Sequence, residues 1–235
     1  MSLQGETTAF ISIGIACQTS HQLNLNRDAL SACVGEPLRY RSSFFNWVMV
    51  GANDIGRTLD RLVAAPITAQ SLRIPAAPMR CPTLSGHNVW FWHEKPSHEI
   101  LPRMVEIMAG KYEHLRQNFL DLCRRPDRYF VLGNAQNNCA WQEPHLYEGM
   151  QLGLDDAVLR DIGRTLDRLF RHGRNHLITI ARRDRLAPAM HERVSLVDDD
   201  TEWEGSSEAW HEALLDWFAR QERHERIVPV RASTR

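Results

Sequence analysis

The sequence predicts an α/β fold, with a mostly parallel central sheet and helices on both faces, as a single domain over residues 1–235. Two observations lead there. Strand-like and helix-like segments alternate along the chain, which is the pattern of strands joined by crossover helices. With 235 residues, 43% hydrophobic and 24% charged, the chain is long and apolar enough for one sizeable core.

Taken in order, Thr8 to Ile15 reads as the first strand, and it passes through Gly14 into a helix that begins beside Cys17. Asn53-Asp54 caps a second helix through about Ala65, and the proline-rich stretch from Pro66 to Pro82 is expected to be irregular. Val89 to His93 returns as a buried strand. Pro102 sets the first turn of a long helix whose apolar positions Val105, Met108, Tyr112, Leu115, Phe119 and Leu122 recur at three and four residues, and Pro126 closes it. Arg128 to Gly133 is the third strand. Asp155-Asp156 opens a helix carrying Val158, Leu159, Ile162, Leu166 and Leu169 on one side, ending near Gly173, and His176 to Ala181 is the fourth strand. Asp198-Asp199-Asp200 reads as a solvated loop, because three adjacent carboxylates do not all point at one ion. A last amphipathic helix spans roughly Ser207 to Arg220, with Trp210, Leu214 and Trp217 inward. Residues 1–7 and 223–235 are read as flexible ends.

Nine residues occur twice without change, from Asp54 to Leu62 and from Asp161 to Leu169. The flanks differ, so neither a duplicated domain nor a solenoid is supported. The repeat predicts two helices alike in burial and unlike in partner. Their glycines, Gly56 and Gly163, are expected where a backbone approaches closely or near a helix start.

Composition excludes several functions. Lys and Arg total 28 against 29 for Asp and Glu, a formal net charge of −1, so no global field would hold nucleic acid or an anionic membrane. No apolar stretch approaches the length of a bilayer span and no basic leader precedes one, which predicts a cytoplasmic protein. Five cysteines, at positions 17, 33, 81, 123 and 139, lack Cys-x-x-Cys spacing and read as reduced thiols. His87, His93 and His98 lie close in sequence, but no Cys or acid completes a familiar ligand spacing, so no metal is expected. The G-x-G-x-x-G and Walker patterns are both missing, and no cofactor is expected.

The chemistry is expected at the carboxyl edge of the strands, where ligands collect in open parallel sheets. The residues just beyond the four predicted strands are Cys17, then His93 and Glu94, then Asn134, then Arg182, Arg183 and Asp184. Cys17 at the start of a helix meets unpaired N–H groups and the positive end of the helix dipole, which favour a thiolate and can hold an oxyanion. Cys17 is thus the candidate nucleophile and His93 the base. Either Asn46 or Asn134 orients His93 by accepting its second N–H. Gln18, His21, Glu94 and Arg182 are the candidate substrate contacts, with His21 one helical turn beyond Cys17.

The segment Ile11-Ser12-Ile13-Gly14-Ile15-Ala16-Cys17-Gln18, followed by His21-Gln22-Leu23, resembles the opening of a bacterial family of unknown function described as papain-like cysteine peptidases. Ser42-Ser43-Phe44-Phe45-Asn46-Trp47-Val48 is similar to that family's Ser-x-Phe-Asp-Trp block, and Val89-Trp90-Phe91-Trp92-His93-Glu94 resembles its strand ending in histidine and an acid. Family members usually carry Asn where this chain has Ala16 and Asp where it has Asn46. An asparagine can orient a base but cannot take its proton. The resemblance implies a cysteine hydrolase cutting an amide or ester of a peptide or small molecule. The Cys-Gln pair is also reminiscent of a bacterial capsule-polysaccharide acetyltransferase group, which implies acyl transfer instead. Ala16 and Asn46 favour a third reading, an inactive binding protein on the same scaffold. The oligomeric state is left open.

Overall fold

Alternation along the chain becomes two sheets rather than one. The computed structural model describes residues 7–74, 81–94, 102–136, 151–191, 194–197 and 203–227. In chain order, β1 (Thr8–Ser12) leads into α1 (Gln18–Leu25) and α2 (Arg27–Val34), which part at Asn26. Next come β2 (Met49–Val50), α3 (Ile55–Ala64), β3 (Leu72–Arg73), β4 (Thr83–Leu84) and β5 (Val89–Trp90). The long α4 (Pro102–Leu122) is followed by β6 (Asp127–Asn134), α5 (Asp156–Leu169), β7 (Arg174–Ala181), β8 (Ser195–Leu196) and α6 (Ser207–Ile227).

β1, β6, β7 and β8 pair in that order as a parallel sheet. β6 is its spine: Thr8–Ser12 aligns with Asp127–Val131, and all of Asp127–Asn134 aligns with Arg174–Ala181. The ladder outruns β1, since Ile13 and Ile15 donate their N–H groups to Val131 and Gly133 at 2.9 and 3.1 Å. Parallel neighbours need long crossovers, and the helical segments supply them.

The second sheet is antiparallel, in the order β2-β5-β4-β3. Here the expectation for Val89–His93 is corrected. Only Val89–Trp90 is extended, it pairs with β2 and β4 instead of joining the parallel sheet, and Trp92–Glu94 closes into a 3-10 turn. The reason lies in the connection: β4 reaches β5 through Ser85–Asn88, where Gly86 takes a φ of 76°, and so tight a turn makes antiparallel neighbours only. The proline-rich stretch holds β3, so it is not irregular throughout. The parallel sheet's remaining strand is β8, two edge residues too short to leave a period in the sequence. α6 runs on to Ile227, past its expected end at Arg220 and into the expected flexible end. At the other end Thr7 is fastened, its Oγ1 donating to Glu36 at 2.6 Å. Asp198–Asp200, His98, Cys139 and the termini 1–6 and 228–235 lie outside the described residues.

Side-chain alternation along the strands feeds two apolar clusters. Ile11, Ile13 and Ile15, with Phe130 and Leu132, pack with Phe44, Phe45, Leu59, Leu62, Phe119, Ile162 and Leu166. Val131, Ile178 and Ile180 pack with Leu23, Leu30, Trp210, Leu214 and Trp217. Among the described residues no helix is long and apolar enough to cross a membrane.

The repeated nonapeptide forms most of α3 and most of α5, and the two helices pack on each other. Burial matches closely: Ile55, Thr58 and Leu59 are buried, as are Ile162, Thr165 and Leu166, while Arg57 and Arg164 are exposed. Partners differ. Asp54 is buried and accepts from the Asn88 N–H and from Arg57, whereas Asp161 is exposed. Asp60 instead takes two hydrogen bonds from Arg168 of the other copy, at 2.7 and 2.9 Å.

The glycines separate the copies further. Gly56 is the second residue of α3, and a Cβ there would lie 2.7 Å from an Asp161 oxygen. Gly163 sits in the middle of α5 with nothing within 4 Å of the Cβ position, so neither close approach nor a helix start accounts for it. Gly163→Ala is therefore expected to raise stability by about 0.5–1 kcal/mol, through the lower backbone entropy of the unfolded chain. Gly56→Ala should gain less, because the Asp161 side chain has to move. Denaturant midpoints measure both, and a destabilised Gly163→Ala chain would refute the account.

Candidate active site

The carboxyl end of β1 is shaped by glycine. α1 comes so close to β1 and β6 that the Thr19 Oγ1 lies 2.1 Å from where a Cβ on either Gly14 or Gly133 would stand. Any larger residue at these positions would push α1 away, and with it Cys17, the residue preceding α1. The Cys17 carbonyl accepts from the N–H groups of Ser20 and His21 and from the Ser20 hydroxyl, which anchors the first turn.

Two donors at this helix start converge on one oxygen. The Cys17 Sγ donates to the carboxamide Oε1 of Gln136 at 3.9 Å, and the Gln18 N–H reaches the same atom at 3.4 Å. Gln136 lies two residues beyond β6. Behind the pair, a small recess is lined by Gln18, Thr19, Asn134, Gln136, Leu152 and Arg185 among others. The Gln18 side chain is almost fully buried, and its Nε2 has no hydrogen-bond partner. Asn134 is held rigidly: its Nδ2 donates to the Leu152 carbonyl and its Oδ1 accepts from Arg185 at 3.1 Å. Arg185 also donates to the Gln136 carbonyl at 2.6 Å.

Electrostatics at the thiol run against the sequence reading. Burial pushes the Cys17 thiol above its ordinary pKa, and the N–H groups of Cys17 and Gln18 offset this only in part. The helix start favours charge, but removing the thiolate from water outweighs it. Cys17 therefore rests as a neutral thiol at neutral pH.

The other candidates stand in separate groups. His93, in the 3-10 turn after β5, sets its ring edge-on against Trp47 with centroids 5.4 Å apart, and no hydrogen bond joins it to Cys17. Burial, and then the nearby Lys111, hold its pKa below the usual histidine value, with Glu94 opposing. Glu94 accepts from Lys111 and, at 3.4 Å, from the Tyr112 hydroxyl, and Tyr112 is pushed upward by burial and by that carboxylate. The two sheets meet nevertheless, since Val50 of β2 donates to the Ile15 carbonyl at 2.9 Å and Trp90 of β5 shares a small apolar cluster with Ala16.

Asn46 closes a 3-10 turn, accepting from the Ser43 hydroxyl at 2.9 Å and donating to the Tyr40 hydroxyl at 2.8 Å. Neither Asn46 nor Asn134 is hydrogen-bonded to His93. His21 faces Trp203, with ring centroids 5.2 Å apart. Arg182 forms two hydrogen bonds with Asp184, both at 3.0 Å, and it is Arg185, three residues on, that lines the recess. Sequence reasoning thus passed over Gln136 and Arg185. The carboxyl-edge rule could have reached both, because they lie two and four residues past the ends of β6 and β7.

The arrangement offers one amide-oxygen position, served by a thiol and a backbone N–H, with a small recess beside it. Comparison with protein-family models, with curated proteins and with solved structures finds no match to this chain.

Proposed function

We propose that this edge is the active site of a cytoplasmic cysteine hydrolase that cuts an amide or ester of a small molecule or peptide. In this reading the chain is one domain with helices on both faces of its central sheet. One observation carries the reading: the Gln136 carboxamide oxygen sits where a substrate carbonyl would, receiving both the Cys17 Sγ–H and the Gln18 N–H. Substrate displaces it. The Cys17 sulfur attacks the carbonyl carbon, its proton passes to His93, and the oxygen gains negative charge held by N–H groups at the start of α1. Collapse expels the amine or alcohol, which takes the proton from His93 and leaves a thioester. Water then attacks the thioester with His93 as base, releasing the acid and restoring the thiol. For this His93 has to leave the edge of Trp47. An acceptor hydroxyl in place of water gives acyl transfer by the same steps.

The raised thiol pKa and the lack of a hydrogen bond between Cys17 and His93 favour the second reading, a binding protein on the same scaffold. Rates of modification by a thiol-directed acyl probe, mapped by mass spectrometry, separate the two. In the wild type, Cys17 labelling should climb only at a pH above the roughly 8.5 of an unperturbed cysteine, because burial raises the thiol pKa. Gln136→Ala removes the oxygen that holds the thiol proton, so the profile should move to lower pH and the rate at neutral pH should rise about tenfold. His93→Ala should slow labelling by a similar factor if His93 is the base. Profiles unchanged by both substitutions would leave binding as the function.

A further inference from the structure

We propose that the substrate at this edge is the side-chain carboxamide of a glutamine, from which Cys17 releases ammonia, and that Gln136 is a stand-in for it supplied by the chain itself. This names the substrate class of the hydrolase reading and rests on that reading. The group already in place carries the inference. Both the Cys17 Sγ–H and the Gln18 N–H, at 3.9 and 3.4 Å, go to a terminal carboxamide at the end of a glutamine stem. Donors placed for that group serve a second one of the same kind once Gln136 withdraws.

Space decides against larger amides. With Gln136 in place the recess has a free volume of about 10 Å³, the lower bound for a single water. Withdrawal of Gln136 therefore opens room for one carboxamide and a group the size of water. The walls cannot give way: Ile15, Ala16, Thr19 and Gly133 are all buried, and Thr19 leaves no space even for a Cβ on Gly133. A peptide bond carries chain on both sides of its carbonyl, and an ester or secondary amide carries at least a methyl beyond it. A primary carboxamide ends in NH2, which is as small as the water that replaces it.

A second observation points to the same exchange. Gln18 lines the recess, is 2% exposed, and its Nε2 has no hydrogen-bond partner. Buried amide nitrogens are normally paired, so this one marks a missing acceptor. The carbonyl oxygen is already served by Cys17 and the Gln18 N–H, but hydrolysis puts a second oxygen on the same carbon. Gln18 Nε2 is the donor left for it. In the reaction Sγ bonds to the substrate carbonyl carbon, the C–N bond breaks, and the thiol proton leaves with the nitrogen as ammonia. Water then adds to the γ-glutamyl thioester, the C–S bond breaks, and one water proton returns to sulfur. Glutamine and water become glutamate and ammonia, with no change of oxidation state.

Ammonia and amine release from end-blocked dipeptides by the full chain tests this. The dipeptides carry glutamine, asparagine, or glutamine methylated on its side-chain nitrogen. Glutamine should exceed each of the others in kcat/KM by at least about tenfold, the effect of one methylene or methyl group in a close-fitting site, and Cys17→Ser should abolish release. Gln136→Ala should lower KM for the glutamine peptide about tenfold without lowering kcat, because it removes a competitor. Gln18→Met keeps the backbone N–H and should lower kcat about tenfold with KM retained, since the second oxygen arrives only during the reaction. Equal rates on the N-methylated peptide, or a KM that does not fall in Gln136→Ala, would overturn the proposal. Cys17 labelling that responds to Gln136→Ala and His93→Ala, with no ammonia from the glutamine peptide, would overturn the substrate class and leave the hydrolase reading standing. Labelling that responds to neither, again without ammonia, would overturn both.

Discussion

Replacing Arg128 by alanine is expected to lower the unfolding free energy by at least about 3 kcal/mol, because several buried acceptors lose their donor at once. Arg128 is 1% exposed on β6. Its Nη1 donates to the carbonyls of Cys123, Arg125 and His172 at 3.1, 2.7 and 2.7 Å. Its Nη2 donates to the Phe170 carbonyl, and its Nε to the Asn175 side chain, both at 2.8 Å. Cys123 and Arg125 follow the last turn of α4, and Phe170 and His172 follow that of α5. The guanidinium therefore sits between the negative ends of two helix dipoles and needs no carboxylate. Arg128→Lys keeps the charge but not the fork, and should lie between alanine and wild type. Equilibrium denaturation measures all three. A loss below about 1 kcal/mol for alanine would show that water replaces the guanidinium and that the fold does not rest on it.

Leu59→Ala and Leu166→Ala are each expected to cost about 2–5 kcal/mol, the range for truncating buried leucines. Leu59 is 0% and Leu166 1% exposed, and both belong to the larger apolar cluster, one on each copy of the repeated segment. Because α3 and α5 pack on each other, the double substitution should depart from additivity by about 0.5 kcal/mol or more. A loss below about half a kcal/mol in either single variant would place that helix on the surface, against the burial shared by the two copies.

Much of the architecture was legible locally. The stripe from Met108 through Phe119 to Leu122 on α4, the Asp155 cap whose Oδ1 accepts from Val158 at 2.8 Å, and the inward Trp210, Leu214 and Trp217 all rest on periods or caps that a short window contains. The placement of Cys17 at the strand-to-helix junction was legible for the same reason. The strand pairing of Val89–Trp90, the short edge strand β8 and the convergence on Gln136 were not. Each depends on residues distant in sequence, and two-residue strands leave no period to read.

The sequence by itself determined that the chain is α/β, that its main strands are joined by amphipathic helices, that no described helix is long and apolar enough to cross a membrane, and that Cys17 lies just ahead of a helix. These follow from backbone preference and hydrophobic spacing, which act over a few residues. Tertiary structure decided which sheet His93 follows, which residues share the edge with Cys17, and whether the thiol is charged. Ionisation is the clearest case. The helix start that favours a thiolate is visible in local sequence, but the burial that opposes it is set by segments more than a hundred residues away, Gln136 among them, and desolvation is the larger effect.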